Sequence, residues 1–444
     1  VFAASSVITL FLGICLILGN RMDTFTFTIH QAFLLTTMSW LVIVCFAALP
    51  FMFSNLELSI TDSFFEAMSG ITTTGSTVIT NLNEAPPGIL LWRALLQWFG
   101  GIGIIVMAIA ILPFLRVGGM QLFHMESSDT SEKVLPRAAQ IAGAIGGIYV
   151  VLTLICATAL WFFGMSPFDA IAHAMTTIAT GGFSTVNGSV GEFENSSIDY
   201  TITLFMIMGS LPFVLYLQAV RGNPRQLFTD SQVIWFLSIL SAAILSLTLW
   251  QWMIGGRPFF DSMRFVSFNA VSMMTGTGFT TTDFGQWGGF AVAVIFFLMV
   301  VGGCAGSTTC GIKIFRFQVI YASARCQIGR LLQPHGVFIP YYNKKPIPPD
   351  VSEAVMGFFF LFALAFAVLA LGLSLLGLDF LTSMSGAATA IANVGPGLGN
   401  EIGPASTFAS LPDAAKWLLS AGLLVGRLAL YTVLVLFAPA FWRA

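Results

Sequence analysis

Charge is scarce in this chain of 444 residues: Asp, Glu, Lys and Arg together make up 9% of it, against about 25% in soluble domains. That scarcity excludes a water-facing surface over most of the molecule. Cysteines are few, and Cys15, Cys45, Cys156, Cys304, Cys310 and Cys326 lie in apolar runs or beside basic loops, so no disulfide framework is implied. The histidines show no metal-ligand spacing. No HExxH, GxSG or paired intramembrane Asp arrangement occurs, which argues against a membrane-embedded enzyme. No glycine motif for nucleotides lies on the basic side, and no nucleic-acid partner is expected. What is abundant is hydrophobicity, 57% of residues with a mean hydropathy of +0.88. We therefore expect an all-α polytopic membrane protein.

A helix needs roughly 20 apolar residues to cross about 30 Å of hydrocarbon. Helices are predicted near residues 1–19, 31–54, 88–115, 136–164, 198–220, 232–254, 288–301 with a continuation past 311, 351–378 and 416–441. The first run lacks a Met or a charged lead-in and reads as a truncated start rather than a cleaved signal peptide. Arg116, Lys133, Arg137, Arg221, Arg225, Lys313, Arg316, Arg325, Arg330, Lys344, Lys345 and Arg443 fall on one set of loops, which the positive-inside rule makes cytoplasmic. The opposite set carries Glu57, Asp62, Glu66, Glu84, Asp169, Glu192, Glu194, Asp199, Asp283 and Glu401. A negative outer face raises the local concentration of cations.

Polar residues cluster where such a chain can least tolerate them. The stretches FFEAMSGITTTGST, FDAIAHAMTTIATGGFST, FNAVSMMTGTGFTTTDF and FLTSMSGAATAIANVGPGLG are four versions of one pattern. Superposed, they align Gly75, Gly182, Gly278 and Gly395 at intervals of 107, 96 and 117 residues. Thr73 and Thr74, Thr180 and Gly181, Gly276 and Thr277, and Asn393 and Val394 precede these glycines. A period near one hundred residues is a duplicated domain, not a solenoid. Each apolar segment before a strip has about 12 residues and rises only about 18 Å, too little to span, so it must enter and return. Irregular backbone survives at membrane depth only inside protein or along a water-filled cavity. The expected unit is helix, half-membrane helix, extended strip, helix, four times around one pore. Its boundaries are 1–30 for an extra N-terminal helix, 31–120, 121–225 and 226–335 for the first three repeats, 336–350 for a cytoplasmic linker, and 351–444 for the fourth.

A cation leaving water needs oxygens in place of its hydration shell, and backbone carbonyls with threonine hydroxyls supply them without fixed charge. Glycine lets consecutive carbonyls point one way, and the short helices aim the negative ends of their dipoles inward. One strip alone is better explained by close helix packing through small residues; four aligned strips favour a filter.

On these strips, and on QWFGGIGI at 97–104, GGCAGSTTCGIK at 302–313, NVGPGLG at 393–399 and VGRL at 425–428, the chain resembles the ion-translocating subunit of the Trk/Ktr/HKT superfamily of potassium transporters, most closely the bacterial Trk type. The resemblance covers nearly the whole chain. It implies potassium uptake across a bacterial plasma (inner) membrane, K+ as the permeant ion with no covalent cofactor, and K+ binding at the four strips. It also implies a homodimer with one pore per protomer, set in membrane lipid, and a cytosolic regulatory subunit that binds nucleotide. A serine in place of the first strip's glycine goes with sodium transport in plant relatives; Gly75 makes K+ selectivity the default. After VGRL the family often has Glu where this chain has Ala429.

In the third repeat the run at 289–301 rises only about 20 Å before it is interrupted. Gly302, Gly303, Cys304, Ala305, Gly306, Ser307, Thr308, Thr309, Cys310 and Gly311 form the interruption, and Lys313 follows. It reads as a glycine kink or as a mobile loop under the filter, and the resemblance implies the loop. Arg427 lies near the middle of an apolar run without an acidic residue. An intramembrane charge of this kind is functional by default, here as a cation beside the conduction path; a salt bridge to another helix is the alternative. His173 is expected to pack and hydrogen-bond, and 341–350 is a candidate docking site for a regulator. The competing function is a coupled secondary transporter, or symporter, moving Na+ or a small solute through re-entrant hairpins. Fourfold repeats of one orientation disfavour it.

Overall fold

The computed structural model describes residues 1–20, 28–110, 134–343, 345–428 and 430–443. The predicted helix at 88–115 is described as far as Ala110. Arg116, Lys133, Lys344 and Ala429 lie outside the described residues, as does the side chain of Arg137.

After helix α1 (Phe2–Gly19), four sets of elements follow in the same order. The first is α2 (Ile29–Ala47), the short α3 (Ile60–Ile71) and α4 (Pro87–Ala110). The second is α5 (Val134–Phe162), the short α6 (Pro167–Ile178), and α7 (Ser196–Ser210) with α8 (Phe213–Val220). The third is α9 (Ser231–Met253), the short α10 (Phe259–Thr275), and α11 (Gly289–Val300) with α12 (Ile314–Leu332). The fourth is α13 (Pro349–Leu375), the short α14 (Phe380–Ala392), and α15 (Asp413–Arg427) with α16 (Leu430–Leu434). Six helices among the described residues are long and apolar enough to cross a membrane, or up to eight if each bent pair is one span.

The short helices begin at polar caps. The hydroxyls of Ser59 and Ser166 and the carboxylate of Asp379 accept from the amides of Asp62, Asp169 and Leu381 at 3.0, 3.1 and 3.1 Å, satisfying first-turn donors that have no helical partner. The third short helix starts instead after Pro258. Each short helix lies between the two long helices of its own set. The last long helix of each set also packs on the short helix of the next: α4 on α6, α7 on α10, α11 on α14, and α15 back on α3. That cycle is closed. One apolar cluster is drawn mainly from the first and fourth sets, with Phe315 and Val319 of the third, and a second mainly from the second and third, with Ile105 of the first and Val394 of the fourth.

Two spans expected to be continuous are broken. Residues 198–220 form α7 and α8, which meet at 92° across Leu211 and Pro212. Proline has no amide to donate and disfavours a helical conformation in the residue before it. Residues 416–441 are likewise divided, and Arg427, expected near the middle of a helix, is the last residue of α15.

The charge map also differs from expectation at three places. Glu66 and Asp199 are buried, not on outer loops, and each is paired with an arginine: Arg93 at 2.8 Å and Arg264 at 2.7 Å. Arg316 is buried in α12 with its guanidinium 3.6 Å from the centre of the Phe358 ring. Single charges at these positions would be expensive in an apolar interior, so each is held by a partner or an aromatic face.

Candidate functional site

The four short helices end in the same way. Thr74 N donates to Ser69 O, Gly181 N to Thr176 O, Thr277 N to Ser272 O and Val394 N to Thr389 O, at 2.9, 2.8, 2.9 and 3.2 Å. The residue before each of these amides is left-handed: Thr73, Thr180, Gly276 and Asn393 have φ of 52°, 50°, 70° and 52°. This is the left-handed cap that turns a chain out of a helix. One residue past the amide stands a glycine, and Gly75, Gly182, Gly278 and Gly395 have φ of 92°, 76°, 84° and 109°.

Close approach decides why these positions are glycine. A Cβ on Gly75 would lie 2.3 Å from Gly181 O, on Gly182 1.8 Å from Thr277 O, on Gly278 2.2 Å from Val394 O, and on Gly395 2.9 Å from Thr74 O. Each glycine therefore faces a backbone carbonyl of the next strip, and the fourth faces the first. All four line one cavity of about 170 Å³, together with Thr77, Ser184, Thr280 and Thr407. The twelve strip residues singled out in the sequence are thus brought to one place. Val394 contributes its carbonyl while its side chain joins an apolar cluster. The hydroxyl of Thr73 is buried with no hydrogen-bond partner among the described residues.

Sequence reasoning anticipated that His173 packs and hydrogen-bonds, and missed the other side chains that fasten the strips. Nine residues before the aligned glycine stand Glu66, His173, Asn269 and Gly386. Glu66 accepts from Val78 N at 2.9 Å and from the Thr77 hydroxyl at 3.0 Å. His173 bonds the Ser184 hydroxyl at 3.0 Å and stacks on Phe279, and Asn269 donates to the Thr281 hydroxyl at 2.8 Å. In the fourth strip the neighbouring Ser385 accepts from Leu398 N at 2.9 Å. The shared offset of nine was the available signal, hidden because Glu, His, Asn and Gly do not look alike.

Arg93 completes the first fastening. Its Nε donates to Glu66 at 2.8 Å, its other nitrogens donate to Ser184 O at 2.7 Å and to the Thr77 hydroxyl at 3.1 Å, and it lies over the Phe183 ring. One buried ion pair so ties the first strip to the second. Removing one partner of such a pair costs about 3–5 kcal/mol, because the other charge stays buried. We expect Glu66→Ala to lower the melting midpoint sharply, measured as loss of the monodisperse size-exclusion peak after heating in detergent.

The interrupted segment 302–311 lies against the other end of the strips. The hydroxyls of Thr180 and Thr308 are 3.1 Å apart, and a Cβ on Gly276 would be 3.9 Å from Cys310 N. The segment closes on itself through Ile312 N to Val300 O and Gly302 N to Ile312 O, both 3.0 Å. It also caps the break in the second set. Gly209 O accepts from Thr308 N at 3.3 Å and from its hydroxyl at 2.9 Å, Ser210 O accepts from Cys304 N at 3.1 Å, and Gly306 O accepts from Phe213 N at 3.0 Å. The last carbonyls of α7 have no helical donor, and the segment supplies donors to two of them, Gly209 O and Ser210 O. Gln232 on α9 accepts from Ala305 N at 2.9 Å.

Arg427, 3% exposed, reaches this segment from the fourth set. Its guanidinium donates to Thr308 O at 3.1 Å and to Gly100 O at 3.0 Å and touches the Cys310 sulfur. Among the described residues it makes no ion pair, and its Nε has no partner. Lys313 turns back onto Thr309, bonding its carbonyl and its hydroxyl.

Four short helices whose carbonyl ends converge on one ring, inside a chain with membrane-length helices, define the class: a polytopic membrane protein for cation transport. The chain belongs to the TrkH family of cation transport proteins, whose family model matches residues 1–444. It is similar to the Trk system potassium uptake protein TrkI of Halomonas elongata, 52% identical over 93% of this chain and 84% of that one. It is also similar to the Trk system potassium uptake protein TrkH of Salmonella typhimurium, 38% identical over 100% and 92%. Among solved structures it matches the potassium transporter TrkH from Vibrio parahaemolyticus with a TM-score of 0.92 and 37% identity, covering 100% of this chain and 92% of that one.

Proposed function

We propose that this chain takes up K+ across the bacterial inner membrane, with the four strips as a selectivity filter and residues 302–311, Lys313 and Arg427 as a gate beneath it. The observation that carries this reading is the closed ring in which Gly75, Gly182, Gly278 and Gly395 each face the carbonyl of the next strip. Such oxygens replace a hydration shell without adding fixed charge, and the four short helices direct their negative dipole ends toward them. The sets at 31–120, 121–225, 226–335 and 351–444 are read as one pore, with 336–350 as a cytoplasmic linker. Homodimerisation and a cytosolic nucleotide-binding subunit form part of this proposal as the family resemblance implies them. The test is flux of K+, Rb+, Na+ and Li+ into liposomes holding purified protein at a set membrane potential. Preference for K+ and Rb+ over Na+ and Li+ is expected, and equal flux of all four would overturn the filter. Repeating the measurement with and without a Na+ or proton gradient separates passive from coupled uptake.

A further inference from the structure

The ring is not equivalent at its four carbonyls. Thr74 O, Thr277 O and Val394 O accept no hydrogen bond among the described residues, whereas Gly181 O accepts from the Gln97 side chain at 2.6 Å. The same amide accepts from Phe183 N through its oxygen at 3.0 Å. Gln97 is 0% exposed, and it bridges the peptides on both sides of Gly182. Gly181 makes room for this amide, since a Cβ there would lie 2.4 Å from the Gln97 amide carbon.

The same place in the second and fourth sets is apolar. Gly100, Gly209 and Gly426 each press an inner helix against a short helix, where a Cβ would be 1.9, 3.0 and 2.2 Å from the carbonyls of Ile71, Ile178 and Ile391. Three residues before these glycines stand Gln97, Met206 and Leu423. The first inner helix alone of these three brings an amide to a strip.

Resting on the filter reading above, we propose that Gln97 is a positioning residue that sets K+ selectivity by fixing the Gly181 carbonyl. A carbonyl oxygen has two lone pairs, so one holds the Gln97 donor while the other faces the ring. The donor limits rotation of the 181–182 peptide and draws electron density from that oxygen, leaving three unshared carbonyls and one shared. Without it the second strip alone gains freedom, and the ring adapts more readily to a smaller ion.

The experiment compares Gln97→Met, which keeps the volume and loses both bonds, with Gln97→Leu, which loses both bonds with a branched side chain of different shape. Trp98→Phe is the control, because it removes a neighbouring bond from α4 to the Thr153 hydroxyl, 3.1 Å in length, that lies away from the strips. The readout is the Rb+ to Na+ flux ratio in liposomes, an internal ratio that does not depend on how much protein is active. Loss of one hydrogen bond of ordinary net strength corresponds to a change of about fivefold to tenfold. Both Gln97 variants are expected to show that fall and Trp98→Phe the parent ratio. A parent ratio in Gln97→Met or in Gln97→Leu overturns the proposal, as does an equal fall in the control. If neither Gln97 variant yields folded protein while the control does, Gln97 is a folding residue and the proposal also falls. Absence of selective flux in the unsubstituted protein would instead overturn the filter reading itself.

Discussion

Deletion of residues 305–309 is expected to raise K+ flux at least tenfold in liposomes without any cytosolic partner, and to leave the order of cation preference intact. The deletion removes the amide and hydroxyl of Thr308 that cap Gly209, the Thr308 carbonyl that receives Arg427, and the Thr309 groups that hold Lys313. It costs the strips only the Thr180 to Thr308 contact and leaves the fastenings that come from the short helices and from α4. Charge acts in the same sense. A unit cation 4 Å from a permeating ion raises its energy by about 1 kcal/mol in water and about 4 kcal/mol at an effective dielectric near 20. Arg427→Ala alone should therefore raise flux by roughly fivefold to a thousandfold, at about 1.4 kcal/mol per factor of ten. Because Arg427 donates to Thr308, the two changes share a partner and should combine non-additively. A correctly sized deletion protein with parent or lower flux would sink the gate assignment and leave the filter standing.

Substitution in the ring should act on selectivity instead. Gly182→Ser would place a Cβ 1.8 Å from Thr277 O, and Gly75→Ser would place one 2.3 Å from Gly181 O. Both obstacles are backbone atoms of a neighbouring strip, which cannot swing aside as a side chain can. The left-handed φ of each position adds about 1–2 kcal/mol of strain for any residue with a Cβ. The neighbouring carbonyl must therefore move, and the K+ to Na+ permeability ratio should fall by about tenfold or more, a difference of at least about 1.4 kcal/mol. The fall should be larger for Gly182→Ser, where the approach is tighter. If Gly75→Ser and Gly182→Ser stayed folded and kept the parent ratio, these glycines would not line the path.

What the sequence determined by itself was set by short-range physics. Long apolar runs mark helices that cross a membrane because hydrocarbon offers the backbone no other partner. The four strips stood out because threonine, serine and glycine are conspicuous between such runs, and the 13-residue run before Gly302 is too short to span whatever surrounds it. Pro212 carried a readable signal for the break between α7 and α8, but hydropathy averaged over 198–220 concealed it. The tertiary structure alone decided which carbonyl each glycine meets, that the fourth strip closes on the first, and that the amides of 302–311 cap the open end of α7. It also turned Glu66 from an outer charge into the partner of Arg93, and a motif glutamine into a clamp across Gly182. Gln97 and Gly181 are 84 residues apart, and Arg427 and Gly100 are 327 apart. Contacts at such separations leave no local periodicity; they exist only because the last long helix of each set buries one face against the short helix of the next set, and that closure fixes which polar groups meet.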